Sequence, residues 1–122
     1  LLIPMVILLS ACTSPGQQPP AESRGSAPVS TPVPDARVSA SAGLLASARD
    51  ATAERDWDRA EALLQRAQRI DSQNGEVYLE LARFYLARDN HEAARGAAER
   101  GLLYCRGPTC DDLRLELRRS GG

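Results

Sequence analysis

The chain has no lysine: all fifteen of its Lys-plus-Arg residues are arginine. Without that amine there is no lysine Schiff base and no P-loop grip on nucleotide phosphates. His91 is the only histidine, with no Ser and Asp beside it in a catalytic pattern. No Gly-rich phosphate loop or paired-carboxylate spacing stands elsewhere. One Phe, one Trp and three Tyr give little aromatic surface on which bases would stack. Sixteen acidic residues against fifteen basic leave a net charge of -1, with no global pull toward nucleic acid or anionic lipid. These shortages exclude most catalytic classes and nucleic-acid binding, and they imply neither cofactor nor metal. The 122 residues hold at most one small domain. A Pro-rich first third reduces the folded part to about 80 residues, near the lower limit for a single core.

What is present begins with an apolar run, Leu1 to Leu9. It is too short for a membrane span of about 20 residues and suits the h-region of a signal peptide. The usual basic n-region is missing, which suggests a start assigned downstream of the true one or a Leu written for an alternative initiation codon. Leu9-Ser10-Ala11-Cys12 then resembles the lipobox of bacterial lipoproteins. The resemblance implies cleavage before Cys12 and acylation of its thiol and its freed amine. Several acyl chains, each contributing about 0.8 kcal/mol per buried CH₂, anchor far better than one. An ordinary signal peptide with an incidental Cys12 is the alternative. The Cys directly after the h-region and the Pro/Ser/Gly stretch behind it favour the lipoprotein. By the sorting rule of those lipoproteins Asp after the acylated Cys implies inner-membrane retention, and with Thr13 in that place the resemblance implies the periplasmic face of the outer membrane.

Residues 1–11 thus read as a signal peptide and residues 12–38 as an acylated Cys with a disordered tether. Six prolines between Thr13 and Val38, with much Ser, Ala and Gly, bury too little apolar surface to offset ordering entropy. From Ser39 the texture turns to Ala, Leu and Arg, and residues 39–122 read as one helical domain. Expected helices run from about Ser41 to Glu54, Trp57 to Ile70, Glu76 to Arg88 and His91 to Tyr104. The second has the cleanest stripe, with Trp57, Ala60, Leu63, Leu64, Ala67 and Ile70 on one face. Ala94, Ala97, Ala98 and Gly101 give the fourth a face of small residues that allows close helix packing.

This segment is one pattern written twice, 34 residues apart. Leu44-Leu45-x-x-Ala48-Arg49 returns as Tyr78-Leu79-x-x-Ala82-Arg83, and Asp56-Trp57-Asp58-x-Ala60 as Asn90-His91-Glu92-x-Ala94. Such a period, built as helix–turn–helix, signals a solenoid. Tyr78, Leu81, Ala82 and Tyr85, with small residues at Ala60, Ala67, Ala94 and Gly101, resemble the tetratricopeptide repeat. The resemblance implies an all-α, two-repeat solenoid of four helices, with repeats at about 41–74 and 75–108. The first copy departs from the family pattern at Ser47, Ala51 and Ser72. A plain four-helix bundle is the rival architecture, and the regular period favours the repeat. Two repeats are fewer than usual for stability, so a capping helix is expected over 109–119. Leu113 and Leu117 suit one, while Leu115 gives a strand-like alternation.

In repeats of this family the first helices line a groove for extended peptides. The resemblance places Leu45, Arg49 and Thr52 there beside Leu79, Arg83 and Leu86. Two guanidinium groups suit a carboxylate or acidic peptide; ordinary surface charges, with Arg83 paired to Glu80, are the alternative. Cys105 and Cys110 form an even pair once Cys12 is acylated, and an oxidising compartment favours a structural disulfide between them. Four intervening residues do not make an oxidoreductase CxxC, and His91 alone does not complete a metal site. His91 is expected half-buried, in the place of Trp57. The whole reads as a non-enzymatic, lipid-anchored adaptor that docks proteins in envelope, pilus or secretion assembly. The alternative is a helical lipoprotein that self-associates to cover its repeat ends and has no peptide-binding role.

Overall fold

The computed structural model describes residues 34–121. The signal segment, Cys12 and the tether up to residue 33 lie outside the described residues. Five helices follow in order: α1 (Pro34–Ala53), α2 (Trp57–Ile70), α3 (Gly75–Ala87), α4 (His91–Leu102) and α5 (Pro108–Gly121). The fold is all-helical, a repeat solenoid completed by a C-terminal helix.

The period seen in the sequence is also a period of backbone conformation. Arg55 and Asp89 are the two non-glycine residues with left-handed backbone among the described residues, at φ 60° and 58°. They stand 34 positions apart, each just before the N-cap of an outer helix. The Asp56 side chain accepts the Arg59 backbone N–H at 3.2 Å, and the Asn90 side chain accepts that of Ala93 at 3.1 Å. These caps satisfy N–H groups that a helix start would otherwise orphan. The approach to each cap matches as well: Asp56 N–H donates to the Ala51 carbonyl and Asn90 N–H to that of Tyr85, both at 2.9 Å. The left-handed residue aims the cap, and an Arg is a poor choice for it. Arg55→Gly is therefore expected to raise stability by about 0.5–1 kcal/mol, the left-handed cost relieved less the entropy of an added glycine. Chemical denaturation would show a higher midpoint at unchanged slope.

Helix α1 begins at Pro34, ahead of the expected Ser41, so residues 34–38 belong to it and not to the tether. Pro suits a first helical turn because its fixed φ is helical and its missing N–H is not needed there. Asp35 adds a negative charge in the first turn, where the helix dipole favours it. The start is inconspicuous in sequence because residues 35–40 are all exposed and show no apolar period. Ser41 is the first buried residue of the helix, its hydroxyl donating to the Val38 carbonyl at 3.0 Å.

Helix α5 is more than a cap. Leu45, Leu79 and Leu113 are all buried and succeed one another at 34-residue intervals. Helix α5 therefore occupies the place of a third first-helix. Its inward residues are Leu113, Glu116, Leu117 and Ser120, at helical spacing, while Leu115 faces outward. The strand-like alternation expected around Leu115 is corrected accordingly. Two of the four inward positions are polar, which hid the stripe.

Close backbone approaches fix how these helices cross. A Cβ at Gly101 would lie 2.7 Å from a Leu113 methyl and 2.9 Å from the Tyr78 Cβ, so α4 meets both α3 and α5 there. A Cβ at Gly75 would lie 2.6 Å from the Cys105 Cα, so the α4–α5 connection rests on the first turn of α3. Cys105 and Cys110 are joined by a disulfide within that connection, with Cα atoms 5.1 Å apart. On the chain-entropy account so short a loop contributes about 2 kcal/mol. The main core gathers Leu45, Leu64, Val77 and Phe84 with Tyr78, whose ring stacks on Tyr104 at 5.8 Å. The Tyr78 hydroxyl donates to the Ser72 carbonyl at 2.8 Å, which closes the α2–α3 turn.

Candidate functional site

Helix α1 packs on α3 and α3 on α5, whereas α2 and α4 do not meet. The first helices thus form a continuous inner layer, and the outer helices diverge behind it. The sequence-expected groove residues fall into two groups on that layer. Arg49, Thr52, Arg83 and Leu86 line its open face. Leu45 and Leu79 do not: both are core residues, and their assignment to the groove is corrected. Four residues turn a helix about 40° beyond a full circle. That rotation carries Arg49 and Arg83 onto the open face and leaves the leucines in the seam behind it.

An ion network crosses the face from α1 to α5. Glu80, on α3, receives Arg49 Nε at 2.8 Å and Arg83 Nη1 at 3.0 Å on one carboxylate oxygen. Arg83 Nε reaches Glu116 on α5 at 3.3 Å, and its Nη2 reaches Asp112 at 3.5 Å. Arg119 Nη1 closes the row on Glu116 at 3.3 Å. The two central carboxylates lie deeper than the cations they hold, whereas Asp112 at the edge of the row is 52% exposed. The Glu80 and Glu116 side chains are 5% and 3% exposed, against 52% for Arg49, 41% for Arg83 and 60% for Arg119. Buried carboxylates therefore lie beneath outward-facing guanidinium groups. Burial alone would lower the Arg83 pKa. The charge of Glu80 and the hydrogen bonds to Glu116 and Glu80 outweigh it, and the pKa stands above the ordinary guanidinium value.

The pairing of Arg83 with Glu80 was legible in the i, i+3 spacing. Glu116 and Arg119 were not, since α5 carries Leu117 at the register of Arg49 and Arg83. Glu116 stands instead at the register of buried Ala48 and Ala82. At this last inner helix a long side chain takes the small-residue position and reaches back to Arg83.

Two depressions flank Arg83. One, of about 240 Å³, is lined by Arg49, Thr52, Ala53, Glu80, Arg83 and Phe84. The other, of about 460 Å³, is lined by Arg83, Leu86, Ala87, His91, Glu116 and Arg119. His91 is exposed at the rim of the latter, which corrects the half-burial expected of it in the place that Trp57 holds in the first repeat. It stands at the first residue of α4, and its burial differs from that of Trp57, which packs edge-on against Phe84 at 6.2 Å. The Thr52 hydroxyl donates to the Ala48 carbonyl at 2.8 Å and so is engaged by its own helix. A third depression, of about 410 Å³, lies at the α2–α3 and α4–α5 turns. Its Asn74 side chain is taken up in capping the Glu76 N–H at 2.9 Å.

Among the described residues no His, Cys, Asp and Glu group is placed to hold a metal ion, and no helix is long and apolar enough to cross a membrane. The open face offers charge and shape, the means of a recognition module.

Paired helices at a 34-residue period, stacked so that first helices share one open face, define a helical repeat solenoid. Comparison with protein families matches the tetratricopeptide repeat over residues 51–117, more than half of the chain. The chain belongs to the tetratricopeptide repeat family, whose domains act as protein-interaction scaffolds. The match runs into α5, in keeping with its place as a third first-helix. No curated protein and no solved structure gives a significant match.

Proposed function

We propose that the chain is a lipid-anchored adaptor that works without catalysis at the periplasmic face of the outer membrane, in envelope, pilus or secretion assembly. Acylated Cys12 is the anchor, and the Pro-rich stretch after it lets the repeat domain range from the membrane. The open face of α1, α3 and α5 receives a segment of a partner protein. The observation that carries the binding role is the layered network on that face, with buried Glu80 and Glu116 under exposed arginines. Side chains held in place before binding lose less entropy when a partner arrives. Leu9-Ser10-Ala11-Cys12 supports the anchor.

The anchor is tested by fractionating cells that express the full chain behind a complete secretion leader. The native chain is expected in the membrane fraction, with a lipid adduct on the peptide that begins at Cys12. Cys12→Ser is expected to move the protein into the soluble periplasmic fraction. Identical partition of the two, with no adduct, would refute lipid anchoring.

A further inference from the structure

The sequence suggests that Arg49 and Arg83 grip a ligand together, but the geometry separates them. Each of the three guanidinium nitrogens of Arg83 already faces a carboxylate: Nη1 faces Glu80, Nε faces Glu116 and Nη2 faces Asp112. Three of its five N–H donors are thereby turned toward carboxylates of its own chain. Its part is to tie α3 to α5. Arg49 engages Glu80 through Nε, and Arg119 engages Glu116 through Nη1. Among the described residues neither makes an ion pair with any other carboxylate. These two are also the most exposed cations of the row.

Resting on the adaptor reading above, we infer that Arg49 and Arg119 are the ligand-facing cations. Between them they take an extended partner segment that carries two acidic side chains with an apolar residue midway. Charge complementarity and spacing both lead there. Adjacent packed helices stand about 8–10 Å apart, so two steps from α1 to α5 span about 16–20 Å. An extended chain rises about 3.3 Å per residue, which puts the two acids about five or six residues apart. Between the arginines, beside the ion network, the face offers apolar surface at Ala53 on one side of Arg83 and at Leu86 and Ala87 on the other. A Leu- or Val-sized side chain fills such a depression and fixes the register of the segment. Exposed carboxylates of the partner then meet guanidinium groups whose inner sides are already held by Glu80 and Glu116. Charge-assisted pairs of this kind are stronger than neutral hydrogen bonds.

The test uses the purified full chain and synthetic peptides, with affinity read by fluorescence anisotropy. One peptide carries two Asp about six positions apart with Leu midway; a second carries the same two Asp side by side; a third has Asn in place of both. The spaced peptide is expected to bind the native chain most tightly. Arg49→Ala and Arg119→Ala are each expected to weaken it about fivefold or more, and raised salt to weaken it further. Each variant is expected to lower the melting temperature by less than Arg83→Ala does, because Glu80 and Glu116 each keep Arg83. Equal affinity for spaced and adjacent Asp, or no effect of Arg119→Ala, overturns this inference and leaves the adaptor reading standing. No binding of any peptide also overturns it. The adaptor reading fails separately, if a crosslinking residue at Thr52 or Leu86 on the open face captures no partner protein in the envelope.

Discussion

Leu113→Ala is expected to cost about 3–5 kcal/mol, the range for a fully buried leucine whose site does not collapse around the void. For a domain of this size the melting temperature should fall by about 10 °C or more. The physical reason is position. Leu113 continues the series of Leu45 and Leu79, and its methyl groups would touch a Cβ built on Gly101 at 2.7 and 2.9 Å. At the point of closest approach α4 carries only Gly101, which has no side chain to fill the space. Leu115, two residues on and facing outward, is the control: Leu115→Ala should change stability by less than about 0.5 kcal/mol. If the two substitutions prove alike, α5 is an appendage and the third inner helix does not exist as a packed element.

Arg83→Ala is expected to lower stability by about 1–2 kcal/mol, a figure already reduced for the part of the side chain that water reaches. The loss comes from what is left behind. Glu80 keeps Arg49 and Glu116 keeps Arg119, yet each buried carboxylate loses one of its two cations, and α3 loses its polar tie to α5. Removing one member of a buried polar network costs more than the contact itself contributed. Arg83→Lys should recover only part of the loss, since a point charge cannot face three carboxylates at fork geometry. Thermal denaturation of the two variants beside Arg49→Ala separates the roles. Arg83 governs stability, and Arg49 governs affinity with little effect on melting. Similar melting for Arg83→Ala and Arg49→Ala would return Arg83 to the status of a surface charge.

The elements that were legible in the sequence are those in which local and tertiary signals coincide. Helix α2 runs over Trp57–Ile70 as expected because an N-cap Asp, a clean apolar stripe and a polar turn agree on its limits. Helix α1 hid its first turns because Pro34 reads as tether and the residues after it stay in water. Helix α5 hid its inner face because Glu116 and Ser120 are polar, and only the packing of α5 against α3 and α4 accounts for their burial. The open face was half legible. The repeat register places Arg49, Thr52, Arg83 and Leu86 on the open face, but the spacing of four does not reveal that Leu45 and Leu79 turn into the seam. Glu80 and Glu116 could not be singled out from other acidic residues. Their importance arises where three helices meet, and one of those lies beyond the two repeats that the sequence displays.

The claim that the open face of α1, α3 and α5 is where a partner docks is tested most directly by site-specific photocrosslinking in the intact envelope. A crosslinking residue is placed in turn at Thr52 and Leu86 on that face and at Arg66, exposed on α2 of the outer layer. Adducts with one partner from Thr52 and Leu86, absent from Arg66 and reduced by Arg49→Ala, are the predicted result. Adducts from Arg66 with none from Thr52 or Leu86 would contradict it.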